Sequence, residues 1–231
     1  MKETIYTIPV NEAFEDNCDC PLCRLYKKVE ADEIDKILGA AMMEPDIRIK
    51  TNKQGFCDKH FPMMFEGKNR LSLALMLESH LNLLNENIFN KTTGLMGKTD
   101  YKKQTEIIEN QQNSCYICSR IDYYMEKFCE TICFLFRTEI AFQDKMRNQK
   151  MYCLKHYRQL LVIAKQRLSK SDYEAFAKMI FQTEKEYIAT LCDDVSWFCK
   201  KFDYRYQNEP WKNSKDAIQR SIHTLTSKKI D

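Results

Sequence analysis

One pattern constrains this chain more than any other: a cysteine pair and a cysteine–histidine pair, each occurring twice at matched spacing. Cys20-Pro-Leu-Cys23 precedes Cys57-Asp-Lys-His60 by 33 intervening residues, and Cys115-Tyr-Ile-Cys118 precedes Cys153-Leu-Lys-His156 by 34. The neighbours agree as well. Phe56 and Phe61 correspond to Tyr152 and Tyr157, Lys59 to Lys155, Asn52 to Asn148, and Ile37 to Ile132. Self-similarity over eight ligand-type residues and their flanks reads as a tandem duplication. The repeat predicts residues 1–92 as a first helical unit with a site at Cys20, Cys23, Cys57 and His60. It predicts residues 100–207 as a second, with a site at Cys115, Cys118, Cys153 and His156, and residues 208–231 as a tail with a short helix.

Composition restricts how such pairs can be presented. The chain of 231 residues has only 5 glycines and 5 prolines, where average usage would give about 16 and 12. Hairpins and glycine-rich phosphate loops consume these residues and helices do not, so the expected class is all-α. Residues three apart lie on one face of a helix. A CxxC at one helix start and a CxxH at another can therefore aim four ligands at one point. Pro21 suits the first turn of such a helix, where its missing N–H costs nothing. Apolar residues at Ile117, Ile121, Tyr124, Phe128, Ile132, Leu135 and Ile140 define one face of a second helix after Cys115. Leu71 to Ile88 reads as a buried leucine-rich helix. Asp172 to Tyr204 reads as a long one, with Ser171 and Glu174 as its capping box.

Three thiolates and one imidazole match the closed tetrahedral set of structural zinc, which gives two zinc ions per chain. Lys59 and Lys155 are placed to favour thiolate. An iron–sulfur cluster, which also uses cysteines, is the alternative. The remaining cysteines read differently. Cys18 has Asn113 at the matching offset of the second half, which argues against a ligand role. Cys129 and Cys133, like Cys192 and Cys199, have helical spacing and read as core packing. His80 reads as a histidine satisfied by a neighbouring carboxylate or carbonyl. Gly94 to Thr99 lacks the spacing of a phosphate loop.

Thirty-six basic against 33 acidic side chains leave a formal charge of +3, too even for a nucleic-acid-binding domain. Met1 to Asn17 carries four acidic residues and no apolar secretion core, and no apolar run reaches a membrane span of about 20 residues. These features read as a cytoplasmic protein without a membrane partner. Clustered thiols in that compartment bind metal or do redox work rather than form a disulfide framework. In the tail, Ser214 reads as the cap of a helix that docks Ile218, Ile222 and Leu225 and leaves a basic face in water.

Cys20-Pro-Leu-Cys23, the run MEPDIRIKTNKQGFCDKHF from Met43, NRLSLALMLESHL from Asn69 and DVSWFCKKFDYRYQNEPWKNSKDAI from Asp194 together resemble an uncharacterised bacterial domain-of-unknown-function family. The resemblance spans nearly the whole chain. It implies a bacterial cytoplasmic protein in which the Cys/His pairs belong to the family pattern, and no activity. Two functions follow from the residues. One is a metal-stabilised helical module that binds a protein or small-molecule partner. The other is an enzyme or sensor that uses one Cys₃His site for redox or iron–sulfur chemistry, with Asp46, Arg48 and Asn52, or Asp144, Arg147 and Asn148, lining a pocket.

Overall fold

The computed structural model describes residues 5–15, 19–67, 69–93 and 99–230. Cys18 and positions 94–98 of the glycine-containing linker lie outside them. Among the described residues the fold is all-α: eleven α-helices, two 3₁₀ turns and one π turn, with a lone bridge between Thr93 and Thr99 in place of any strand.

Helix α1 spans Thr7–Glu15, α2 Pro21–Leu38, α3 Pro45–Gln54, α4 His60–Glu66 and α5 Arg70–Leu84. After the linker come α6 Tyr101–Gln112, α7 Tyr116–Thr138, α8 Ile140–Arg147, α9 Leu154–Arg167, α10 Lys170–Lys200 and α11 Ala217–Thr226. The order α2–α3–α4–α5 recurs as α7–α8–α9–α10, with the CxxC opening α2 and α7 and the CxxH opening α4 and α9. The segment expected as a short linker in each half is itself a helix, α3 or α8.

The compact units do not coincide with the repeats at 1–92 and 100–207. One unit comprises residues 1–27 and 125–231, the other residues 28–124, so both divisions fall inside helices, α2 and α7. In the first unit, α8, α9 and α11 pack on α10, and α1 packs on α8. Phe14 meets Phe142 and Tyr152, and Phe136 meets Phe176 edge-on. Cys129 and Cys133 are buried in this core, as their spacing predicts.

In the second unit α5 packs against α3 and α4, and α6 against the π turn at Asn85–Asn90. Arg48 donates to the Leu75 carbonyl at 2.9 Å and to Ser79 Oγ at 2.7 Å, and Ser79 donates to Asn52 Oδ1. His80 Nδ1 meets the Asn52 carbonyl at 2.8 Å, the satisfied-histidine reading. Arg48 and Asn52 therefore tie α3 to α5, a structural duty rather than a pocket lining.

Four sequence expectations need correction. Helix α5 buries only Ser72, Leu73, Met76 and His80 and leaves Leu71 69% exposed, because a single helix face meets α3 and α4. The cap of α10 is Ser169, whose side chain accepts from Asp172 N–H, two residues before the expected Ser171. Cys192 and Cys199 are exposed, since α10 runs on with that face in water. On α11 the buried residues are Ala217, His223 and Thr224. Ile218 and Leu225 face outward, and Ser214 donates to the Trp211 carbonyl instead of capping.

Gly55 is the backbone constraint on the second unit. At φ 60° and ψ −156° it occupies a region open essentially to glycine alone. Its carbonyl accepts from Tyr116 N–H at 3.0 Å, and an added Cβ would lie 2.2 Å from Gln111 Nε2 and 2.9 Å from His80 Nε2. We expect Gly55→Ala to destabilise the protein by about 1–3 kcal/mol, combining backbone strain and overpacking. Thermal unfolding of the variant measures the effect.

Candidate metal centres

The eight sequence-selected residues gather into two groups, and the groups cross the halves of the chain. Cys20, Cys23, Cys153 and His156 form one; Cys57, His60, Cys115 and Cys118 form the other. The ligand atoms of each lie within 4.8 Å of one another. The grouping by halves, Cys20/Cys23 with Cys57/His60 and Cys115/Cys118 with Cys153/His156, is not the arrangement observed. Each CxxC meets the other half's CxxH, and each complete group lies inside one compact unit.

Helix starts place the ligands. The Cys20 carbonyl accepts the N–H of Cys23 and of Arg24, which turns the chain into α2. Cys115 does the same for Ser119 and also accepts Cys118 N–H on its sulfur at 3.5 Å. Cys153 caps α9, with Tyr157 N–H on its carbonyl, and the Cys57 carbonyl receives His60 and Phe61 N–H at the start of α4. A helix start thus substitutes for the glycine-rich knuckle that this composition cannot supply.

The distances test the metal reading. Metal–sulfur bonds of about 2.3 Å and metal–nitrogen bonds of about 2.0–2.1 Å give a tetrahedron with sulfur–sulfur edges of about 3.8 Å and sulfur–nitrogen edges of about 3.6 Å. In the first group Cys153 Sγ lies 3.9 Å from Cys20 Sγ and 3.5 Å from Cys23 Sγ. His156 Nδ1 lies 3.7, 3.3 and 3.0 Å from Cys20, Cys23 and Cys153. In the second group Cys57 and Cys118 sulfurs are 3.8 Å apart, and His60 Nδ1 lies 3.2, 3.3 and 3.4 Å from Cys57, Cys115 and Cys118. Both histidines present Nδ1. The sulfur–sulfur separations agree with those edges to within about 0.3 Å, and most of the sulfur–nitrogen separations run shorter, so each group is compact enough to surround one ion.

The thiols titrate against one another. In the second group burial raises Cys115, but contacts with His60, with backbone N–H groups and with Cys118 together bring it down to about 6. Burial and the Cys115 charge push Cys118 well up. His60 would be lowered by burial, yet Cys115 and Glu30 lift it to about 10. In the first group Cys153 is held far below a normal thiol by contacts with Cys20 and Cys23. Cys23 is pushed up to about 12 by its contact with Cys153, and Cys20 is raised chiefly by burial. Without a cation Cys153 and Cys115 are thus biased toward the thiolate, and Cys20, Cys23 and Cys118 toward the thiol. A bound ion would ionise all three thiols of its group.

The surroundings differ between the groups. His60 Nε2 lies 3.1 Å from Glu30 Oε1, and Lys59 also pairs with Glu30. Burial opposes the Glu30 charge, but His60 and Lys59 together hold its carboxyl below the ordinary 4.5. This carboxylate fixes Nδ1 as the ligand atom. At the first group, Ser227, which ends α11 at φ 62°, places its Oγ 3.0 Å from Cys153 Sγ. Lys155 lies over the Tyr26 ring at 4.8 Å. Lys59 and Lys155 therefore engage Glu30 and Tyr26. Glu30 carried a sequence signal, an acid four and seven residues before Ile34 and Ile37, on the helix face that those apolar residues share. Ser227 carried none.

The model of a family of unknown function, DUF6062, matches residues 1–231. The chain belongs to that family. No curated protein and no solved structure matches it. In this DUF6062 member, no helix among the described residues is long and apolar enough to cross a membrane.

The Glu30 contact supports a specific expectation. Losing an outer-shell partner of a ligating histidine typically costs about 10–100-fold in metal affinity. Glu30→Gln should weaken one of the two sites by that factor and leave the other unchanged, as read by competition with a chromophoric chelator.

Proposed function

We propose that this DUF6062 member is a zinc-stabilised helical protein, a binding or regulatory module that holds one ion in each compact unit. The observation that carries this reading is the match between the ligand separations and the edges of a single-ion tetrahedron. The same separations favour one ion over an iron–sulfur cluster, whose thiolates sit on different irons and stand farther apart. Three sulfurs and one nitrogen form a closed set, with no position left for substrate, which is the pattern of a structural site. The ion would ionise the thiols and clamp two helix starts together.

A groove of about 520 Å³ in the unit of residues 1–27 and 125–231 supports the binding part of the reading. Its walls include Asp19, Arg147, Lys150, Glu186, Tyr187 and Arg220, a mixed-charge surface suited to a polar partner. Arg147 is paired with Asp144, and Arg220 with Asp194 and Asp216, so the groove is no simple anion site.

Elemental analysis and native mass spectrometry of protein isolated without added chelator should find two zinc ions per chain and no visible absorbance. Removing them should abolish much of the helical signal, because structural zinc contributes roughly 10–16 kcal/mol against about 5–15 kcal/mol for a domain. Reloading should release protons, with apparent affinity rising with pH, since an ordinary thiol is protonated at neutral pH and must ionise to bind the ion. Metal-free protein with an unchanged melting profile would refute the proposal, and a brown, iron-containing protein would replace zinc with a cluster.

A further inference from the structure

The two groups share a ligand set but not a relation to solvent. Cys20, Cys23, Cys153 and His156 are all buried, at 2, 7, 0 and 1% exposure. The end of α11 closes over them, with Ser227 Oγ on Cys153 and the Ser227 carbonyl 4.0 Å from Cys23 Sγ. In the other group His60 and Cys115 are buried, but Cys57 and Cys118 are only half-buried. These two reachable sulfurs are also a close pair, 3.8 Å apart, supplied by different chain segments 61 residues apart. A disulfide needs its sulfurs at about 2.05 Å, so closing this pair requires a movement of less than two ångströms.

We propose that the Cys57/His60/Cys115/Cys118 centre is a peroxide-responsive release site, and that the Cys20/Cys23/Cys153/His156 centre is a permanent one. The inference rests on the metal-centre reading above. Hydrogen peroxide is the oxidant. One of the two accessible thiolates attacks a peroxide oxygen, the O–O bond breaks, and a sulfenic acid and hydroxide form. The second thiolate attacks that sulfenic sulfur, expels a second hydroxide and closes the Cys57–Cys118 disulfide. Two thiolates are oxidised by two electrons in all, one peroxide is reduced, and two protons from solvent convert the hydroxides to water. The metal loses two of its four ligands, keeps only Cys115 and His60, and leaves. The Cys57 and Cys118 segments, which the ion held together, are then held by a covalent bond instead. At the other centre the same attack has no accessible sulfur to begin on.

The test uses the full chain loaded with zinc, carrying Cys192→Ser and Cys199→Ser to remove the two thiols outside both centres that are exposed among the described residues. Zinc content before treatment is measured first: two ions per chain uphold the metal-centre reading, and none overturns that reading itself. Peroxide is then added, release is followed with a chromophoric chelator, and disulfides are mapped by peptide mass spectrometry. The expected result is loss of one of the two ions, a Cys57–Cys118 disulfide, recovery of zinc binding after thiol reduction, and Cys20, Cys23 and Cys153 remaining reduced. Loss of both ions together, first oxidation at Cys20, Cys23 or Cys153, a Cys115–Cys118 disulfide in place of Cys57–Cys118, or retention of both ions would each overturn the proposal.

Discussion

Three sulfurs packed within 4.8 Å of one another and of an imidazole cannot all carry charge in a buried site. That constraint governs both halves of this protein. One sulfur in each group, Cys153 or Cys115, is biased toward the thiolate, while burial and neighbouring sulfurs bias Cys20, Cys23 and Cys118 toward the thiol. A divalent ion reverses the balance, because it turns mutual repulsion into shared attraction. Such an ion would tie together the helix starts that supply the eight side chains. Cys23 and Cys153 are 130 residues apart in sequence, and in the chain-entropy view a cross-link closing a loop of that order is worth about 5 kcal/mol. A bound ion would thus do for a glycine-poor helical chain what a larger core would otherwise have to do.

Much of this was legible in the sequence, and the illegible part has a physical cause. All eight ligand residues, the all-helical class and the placement of the pairs at helix starts follow from spacing, from scarce glycine, and from Pro21 at the first turn of α2. Pairing does not. Each CxxC is as compatible with one CxxH as with the other, because spacing fixes a local face and not which distant face it meets. The choice is made by packing over the whole chain, where the residues of α2 up to Lys27 join the α8–α11 assembly and the remainder of the helix belongs with α3–α6. A repeat in sequence therefore need not be a unit in space.

The smaller departures share that origin. Leu71 and Leu81 look like core from composition but lie on the face of α5 turned away from α3 and α4. Cys192 and Cys199 keep helical spacing on a helix whose outer face has nothing against it. Ser169 rather than Ser171 caps α10, a shift of two residues that spacing alone does not resolve. Arg48 and Asn52, polar residues just before Cys57, are consumed in joining α3 to α5 through Ser79. The two centres also show how one ligand set acquires two characters. Glu30 and Lys59 back the histidine of one, and Ser227 roofs a cysteine of the other.

The exchange of pairs between halves is the central claim, and cadmium NMR tests it most directly. Protein reconstituted with the spin-active isotope should give two cadmium resonances. One should show scalar coupling to the β-protons of Cys20, Cys23 and Cys153, and the other to those of Cys57, Cys115 and Cys118. A single resonance coupled to Cys20, Cys23 and Cys57 together would contradict the arrangement and restore one site to each half.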